Sequence, residues 1–258
     1  MIAELFEVAG KVALVTGGTS GIGRMIAEGF VRSGVRTYIA ARDQARADAT
    51  AAELASAGGV CIGLAADLSE ANGPAALLEA LTSREARLDI LVNNAGANNR
   101  GPIAGVTAEA WDAVMDVNLR APFLLIQQAL PLLRAAATEG GHASVINIGS
   151  IGGLHIPNWE AYPYGASKAA IHHLTRALAK SLGADQIRVN AIAPGPFHSR
   201  LTDTTSEAVK KSVQTYIPVN RAGEAQDVQG TCIFLASRAG AYVNGSTIAL
   251  DGGYIAAL

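Results

Sequence analysis

Two side chains capable of proton chemistry stand four residues apart, Tyr164 and Lys168, in the stretch SIGGLHIPNWEAYPYGASK from Ser150 to Lys168. The run around them has helical spacing, and positions i and i+4 of a helix share one face. A free phenol ionises near pH 10, about three units too high for easy proton exchange at neutrality. A neighbouring ammonium stabilises the phenolate and lowers that value, so the pair can give or take a proton. Two surface residues on an amphipathic helix would look the same, so the pair's meaning depends on what the rest of the chain brings to it. Tyr162 is a second phenol nearby, but the residue four positions after it is Ala166. Tyr162 is therefore assigned to packing or to a pocket wall.

A second group of residues is suited to an anion. Lys11–Thr16 (KVALVT) reads as a strand, GGTSGIG at 17–23 as a turn, RMIAEGFVRSG as a helix stopping at Gly34, and Val35–Ala41 as a second strand. This is a βαβ unit. The turn reads Thr16-Gly17-x-x-x-Gly21-x-Gly23, with Thr19, Ser20 and Ile22 in the intervening positions. It differs from G-x-G-x-x-G, but the physics is shared: glycines let the backbone approach a pyrophosphate, which rests at the positive end of a helix. A purely structural turn is the alternative. At the end of the second strand stands Ala41, then Arg42 and Asp43. A carboxylate there would bind ribose hydroxyls, whereas the planar donor fork of Arg42 suits a 2′-phosphate. The reading is NADP(H), with Asp43 leaving NAD(H) open.

The elements that must position these groups follow in order. A helix over Ala47–Ala57 leads to a third strand, Val60–Ala65, ending at Asp67 and Leu68. Asp67 is placed to accept from an adenine amino group, or to serve as a turn residue. A helix over 73–86 precedes the strand Leu88–Val92, which runs into Asn93-Asn94-Ala95-Gly96. The helical stretch 107–119 contains Asn118, locally unfavourable in a helix and so in need of a reason. Strands Ala143–Ile148 and Ile187–Ile192 flank the helix 161–182, and the latter ends in Pro194-Gly195-Pro196-Phe197-His198-Ser199. Residues 200–216 read as a flap or short helices; a helix at 224–237 and a strand at 245–250 close the chain. The alternation predicts one α/β domain, a doubly wound parallel sheet of seven strands with helices on both faces.

Composition agrees. Half the residues are hydrophobic, 16% are charged and the net charge is -2. Without a basic block, nucleic-acid binding is not expected. Cys61 and Cys232 lie in apolar runs and read as buried reduced thiols, and the five scattered histidines suggest no metal site. The start MIAELFEVAG lacks the features of a signal peptide, and 121–133 is interrupted by Gln127, Gln128 and Pro131. The expectation is a cytoplasmic protein without membrane spans.

Taken in register, Thr16-Gly17-x-x-x-Gly21-x-Gly23, Asn93-Asn94-Ala95-Gly96, Asn118, Ser150, Tyr164-x-x-x-Lys168 and Pro194-Gly195 resemble the short-chain dehydrogenase/reductase family over essentially the whole chain. The resemblance implies a Rossmann fold and hydride exchange between a nicotinamide cofactor and a carbonyl or secondary alcohol. It makes Tyr164 the general acid or base and Lys168 the group that lowers its pKa and binds the ribose. Ser150 becomes the donor to the substrate oxygen, and Asn118 the support of a proton-relay water. Asn94, Ala95 and Gly96 would line the adenosine side; Pro194, Gly195, Phe197 and Ser199 would flank the nicotinamide. The segments AARD, INIGS and AYVNGSTIALDGGY are most similar to NADPH-dependent 3-oxoacyl-acyl-carrier-protein reductases, implying a small-molecule or acyl-thioester ketone. An NAD-dependent sugar, polyol or other alcohol dehydrogenase, and a non-catalytic dinucleotide sensor, are the competing readings. Leu154, His155, Trp159 and 200–216 are pocket candidates. The resemblance also implies a homotetramer or homodimer through helices near 107–135 and 161–182 and the C-terminal strand; on the second helix Ala166, Ala169, Ala170 and Ala177 form a small-residue face that would equally suit packing on the sheet.

Overall fold

The computed structural model describes the chain except residues 138–140, 157–158, 199–203 and 258, and except the Ala208 side chain. Seven runs rich in Val, Ile, Leu and Ala form one all-parallel sheet in the order β3-β2-β1-β4-β5-β6-β7. The strands are β1 Val12–Thr16, β2 Arg36–Ala41, β3 Cys61–Ala65, β4 Ile90–Asn93, β5 Ala143–Ile148, β6 Ile187–Pro194 and β7 Thr247–Leu250. All five residues of β1 are buried, as parallel strands covered on both faces require.

Side chains alternate between the faces. Leu14, Tyr38, Leu91 and Val145 project into one core, Val15, Ile39, Val92 and Ile146 into the other. The first core is closed by α4 (Gly73–Thr82), α6 (Ala121–Ala137) and α7 (Tyr162–Leu182), through Leu77, Leu125, Leu133 and Leu182. The second is closed by α2 (Gly21–Arg32), α3 (Gln44–Ala55) and α9 (Ala225–Ala236), through Ile26, Phe30, Leu54 and Leu235. The remaining helices are α1 (Ile2–Leu5), α5 (Ala108–Met115) and α8 (Glu207–Tyr216). Along α6, Gln127, Gln128 and Pro131 lie on the exposed side. No described helix is long and apolar enough to cross a membrane. Cys232 is buried, while Cys61 on β3 is only partly so.

Most boundaries shift by a few residues, and three of the shifts have a clear local setting. α2 begins at Gly21, within the glycine turn itself. α3 begins at Gln44 because Asp43 caps it, accepting from the Arg46 N–H at 2.6 Å. The expected helix 107–119 ends at Met115 and passes through a π-helical turn, Asp116–Arg120, before α6. Asn118 lies in that turn, a device common beside functional sites.

Strand order runs outward from β1 to β3 on one side and from β4 to β7 on the other. The crevice outside the carboxyl ends of β1 and β4 is therefore where ligands bind in such sheets. Among the described residues, the groups singled out above for chemistry stand at the carboxyl ends of the strands or in the turns and helices that follow them.

Candidate active site

Thr16 closes the crevice floor. Its hydroxyl donates to the Val92 carbonyl (3.3 Å) and accepts from the N–H groups of Asn94 (2.9 Å) and Ala95 (3.0 Å), joining β1 to β4. Asn94 returns the contact: its amide donates to the carbonyls of Thr16 (2.9 Å) and Gly17 (3.3 Å). A Cβ on Gly17, which has φ +67°, would stand 2.9 Å from that amide, and one on Gly23 would collide with it. These glycines thus make room for Asn94 to brace the turn. Ser20 precedes α2 without a side-chain cap, leaving the first helical N–H groups unpaired beside the crevice. This uncapped start under a tight glycine turn fits a pyrophosphate.

Opposite stands the stretch from Ser150 to Lys168. The Ser150 hydroxyl accepts from the Gly152 N–H at 3.0 Å and is hydrogen-bonded to the Tyr164 phenol. Burial pushes the Tyr164 pKa above its ordinary value; the Ser150 hydrogen bond and the Arg100 charge draw it partly back. Tyr164 is therefore a protonated donor at neutral pH. Lys168 is 5% exposed, and its Nζ donates to the Ile148 carbonyl at 2.7 Å. Burial lowers its pKa to about 8. Nζ lies 5.6 Å from the Tyr164 ring centroid. Nζ is held by the Ile148 carbonyl, and the Ser150 hydrogen bond and the Arg100 charge act on the phenol directly.

Asn118 ties these walls together. Its amide donates to the Ala97 carbonyl (2.9 Å) and to Ser167 Oγ (3.0 Å), while Oδ1 accepts from the Ala97 N–H (2.8 Å). Both amide hydrogens are committed to protein, so only spare lone-pair capacity on Oδ1 is left for a relay water. The π turn aims this amide between two segments that an unbroken helix would not bridge. Replacing Asn118 by Ala removes a donor from the buried Ser167 hydroxyl, which keeps its bond to the Tyr164 carbonyl, and both partners from the half-buried Ala97 peptide groups. We expect a loss of about 1–3 kcal/mol in unfolding free energy, measured in urea.

Behind Ser150 lies His172, 3% exposed, whose Nε2 accepts from the Ser150 N–H at 3.4 Å. Gly149 leaves the space for this ring. Burial, then the Lys168 charge, hold its pKa down at about 4, so it stays a neutral acceptor. Sequence reasoning considered His172 only as a metal ligand; the helical step of four from Lys168 was the available signal. Among the described residues no group of three or more His, Cys, Asp or Glu is placed to hold a metal ion.

The cleft measures about 500 Å³. Its wall includes Gly17, Ser20, Gly21, Ile22, Asn94, Ala95, Gly96, Ser150, Tyr164, Lys168, Pro194, Gly195 and Phe197, all expected from the sequence. Thr19, Gly23, Arg42, Asp67, Leu68 and Asn118 lie outside it. The Leu68 side chain belongs to the core, and Ser199 lies outside the described residues. Asp67 accepts from the Ser69 N–H (2.9 Å) and hydroxyl (2.6 Å), so it is first a turn residue. Those bonds, and the charge of Arg42, lower its pKa. Arg42 is exposed just beyond β2, beside Asp67. With Asp43 occupied as a cap, Arg42 is the free side chain at the strand end.

Of the pocket candidates, His155 and Trp159 line the cleft, Leu154 does not and is 46% exposed, and of 200–216, whose first residues 200–203 lie outside the described residues, α8 contributes Val209 and Ser212. Tyr162 faces outward and donates to the Glu160 carboxylate at 2.8 Å. Asn98, Arg100 and Tyr254 also line the cleft and carried no sequence signal. Asn98 Oδ1 is buried without a partner, an acceptor that a bound ligand would satisfy.

A family model described as enoyl-(acyl carrier protein) reductase matches residues 17–255. The chain is similar to the rhamnolipids biosynthesis 3-oxoacyl-[acyl-carrier-protein] reductase of Pseudomonas aeruginosa, 45% identical over 96% of this chain and 98% of that one. It is also similar to 2-dehydro-3-deoxy-D-gluconate 5-dehydrogenase of Dickeya dadantii, 36% identical over 99% and 100%. Among solved structures, the P. aeruginosa RhlG/NADP active-site complex superposes with a TM-score of 0.93 at 43% identity, covering 97% and 98% of the two chains. A gluconate 5-dehydrogenase from Burkholderia cenocepacia in complex with NADP and tartrate gives 0.92 at 30% identity, covering both chains fully at 100%.

Proposed function

Because the chain belongs to the short-chain dehydrogenase/reductase family, and is thus an NAD(P)-dependent oxidoreductase acting on CH–OH groups, we propose that it reduces the ketone of a 3-oxoacyl-type substrate with NADP(H), Tyr164 giving the proton. The observation that carries this reading is the Ser150 hydroxyl bonded to a protonated, burial-raised Tyr164 phenol inside the cleft. Two convergent hydroxyls suit a carbonyl oxygen that gains negative charge in the transition state. The 3-oxoacyl part is supported by the 45% identical relative of that name, and NADP by the bound cofactor of the solved relatives.

When bound, the dinucleotide supplies the hydride received by the carbonyl carbon. Ser150 and Tyr164 fix the carbonyl oxygen, and the Tyr164 proton passes to it, giving an alcohol and a phenolate. Ser150 and the positive charges of Arg100 and Lys168 stabilise that phenolate until it regains a proton from solvent. Asn118 and His172 act as positioning residues, the first holding the Ala97 loop against α7 and the second holding the Ser150 backbone. The α2 start holds the pyrophosphate and Arg42 the 2′-phosphate.

The competing readings are separated by cofactor choice and by turnover. Arg42→Ala should weaken NADPH binding by about 10- to 100-fold, the worth of charge-assisted hydrogen bonds, and leave NADH nearly unchanged. Equal losses with both cofactors, measured by cofactor fluorescence titration, would remove Arg42 from the 2′-phosphate role. A non-catalytic sensor would bind NADPH but oxidise none of it across a panel of 3-oxoacyl thioesters, sugar ketones, diketones and steroids. The small residues Ala166, Ala169 and Ala177 of α7 are exposed rather than packed on the sheet, which favours a contact between subunits of a homodimer or homotetramer.

A further inference from the structure

The cleft holds one charged side chain, Arg100, whose charge helps draw down the Tyr164 pKa but whose N–H groups neither the proton chemistry nor the cofactor uses. Arg100 stands in the loop after β4, with its guanidinium carbon 4.6 Å above the centroid of the Trp159 ring. Trp159 in turn contacts Tyr164 in a tilted arrangement, ring centroids 5.9 Å apart at 48° between the planes. Guanidinium, indole and phenol thus form a ladder from the exposed mouth of the cleft to the proton donor. The two loops are joined by the Gly101 N–H donating to the Glu160 carbonyl at 3.1 Å. Stacking on an indole fixes the plane of a guanidinium while leaving its edge N–H groups free, the fork that matches a carboxylate.

Among the described residues nothing uses that fork. Arg100 takes part in none of the described ion pairs. The carboxylate of Glu160, next to Trp159, instead accepts from Tyr162. Among the described residues lining the cleft none is acidic, and its other cation, Lys168, is committed to Ile148. The substrate side of the cleft therefore offers a single oriented positive charge. We propose that Arg100, held on Trp159, receives a carboxylate carried by the ketone substrate, so that the preferred substrates are keto acid anions. This rests on the ketone-reductase reading and narrows which ketones it takes.

The test compares 3-oxobutanoate with its methyl ester and its N-acetylcysteamine thioester, which keep the ketone and remove the charge. Dihydroxyacetone phosphate serves as the phosphate arm. Wild type should favour the acid over both neutral forms by tenfold or more in kcat/KM. Arg100→Gln should collapse that ratio through KM by about 10- to 100-fold, the worth of a charge-assisted pair, and Arg100→Lys should restore part of it. A ratio near one in wild type, or a ratio that survives Arg100→Gln, overturns the assignment. Arg100-dependent preference for dihydroxyacetone phosphate without one for 3-oxobutanoate also overturns it, marking a phosphate receptor. If wild type reduces none of these ketones, the reductase reading fails separately. Arg100 is then judged by Trp159 fluorescence in a Trp111→Phe background with NADP bound: saturable quenching by 3-oxobutanoate that Arg100→Gln abolishes supports it, and no response overturns it.

Discussion

Replacing Tyr164 by Phe is expected to give a protein that folds and binds NADPH as before but reduces its ketone about 10²–10⁴-fold more slowly, the usual worth of a positioned general acid. The variant removes one oxygen and keeps the ring that packs at a tilt against Trp159. Burial keeps the wild-type proton in place through the neutral range, against the smaller pull of the Ser150 bond and the Arg100 charge. The loss should therefore fall on kcat, with little change in KM, because the proton moves only in the transition state. Steady-state rates with NADPH and a 3-oxoacyl thioester measure it. A variant within a few-fold of wild type would show that the proton comes from elsewhere.

The second large effect has two opposite parts. Lys168→Met should abolish most turnover and yet stabilise the fold. In the folded protein the ammonium is buried, and its pKa is lowered to about 8 from an ordinary 10.5. Folding therefore works against a charge that water would favour. That penalty is fully present below pH 8, fades as pH rises towards 10.5, and amounts to about 3 kcal/mol. Loss of the hydrogen bond to Ile148 takes back about 1 kcal/mol. Net stabilisation of about 2 kcal/mol at neutral pH should appear as a raised urea midpoint, and the gap should close near pH 10. The same titration should make kcat/KM of the wild type fall above about pH 8, since that ratio reports the free enzyme. A Met variant less stable than wild type at pH 7 would contradict the buried-charge description.

Much of this site was legible because its parts recur at fixed spacings. The four-residue step from Tyr164 to Lys168 survives in any helix, and the glycines at 17, 21 and 23 announce a turn between strand and helix. Asn118 was visible as a misfit, and the misfit proved to be a π turn aiming its amide at Ala97 and Ser167. What spacing does not carry is contact between loops. Asn98 and Arg100 reach the cleft from the loop after β4 and Tyr254 from a segment far away in sequence, and none belongs to a periodic pattern. His172 was passed over because paired histidines were weighed only for metal, whereas its partner is a backbone N–H. The Gly turn was read as space for a ligand, and part of that space belongs to Asn94.

The central claim is that Tyr164, set against Ser150, gives the proton for ketone reduction. Single-turnover consumption of reduced nicotinamide tests it most directly, with NADPH-loaded wild type and Tyr164→Phe each mixed with saturating 3-oxoacyl ketone. We expect rapid oxidation by wild type, slowed in deuterated solvent because the proton is in flight, and almost none by the variant despite equal NADPH binding. Oxidation by Tyr164→Phe at the wild-type rate would contradict the claim.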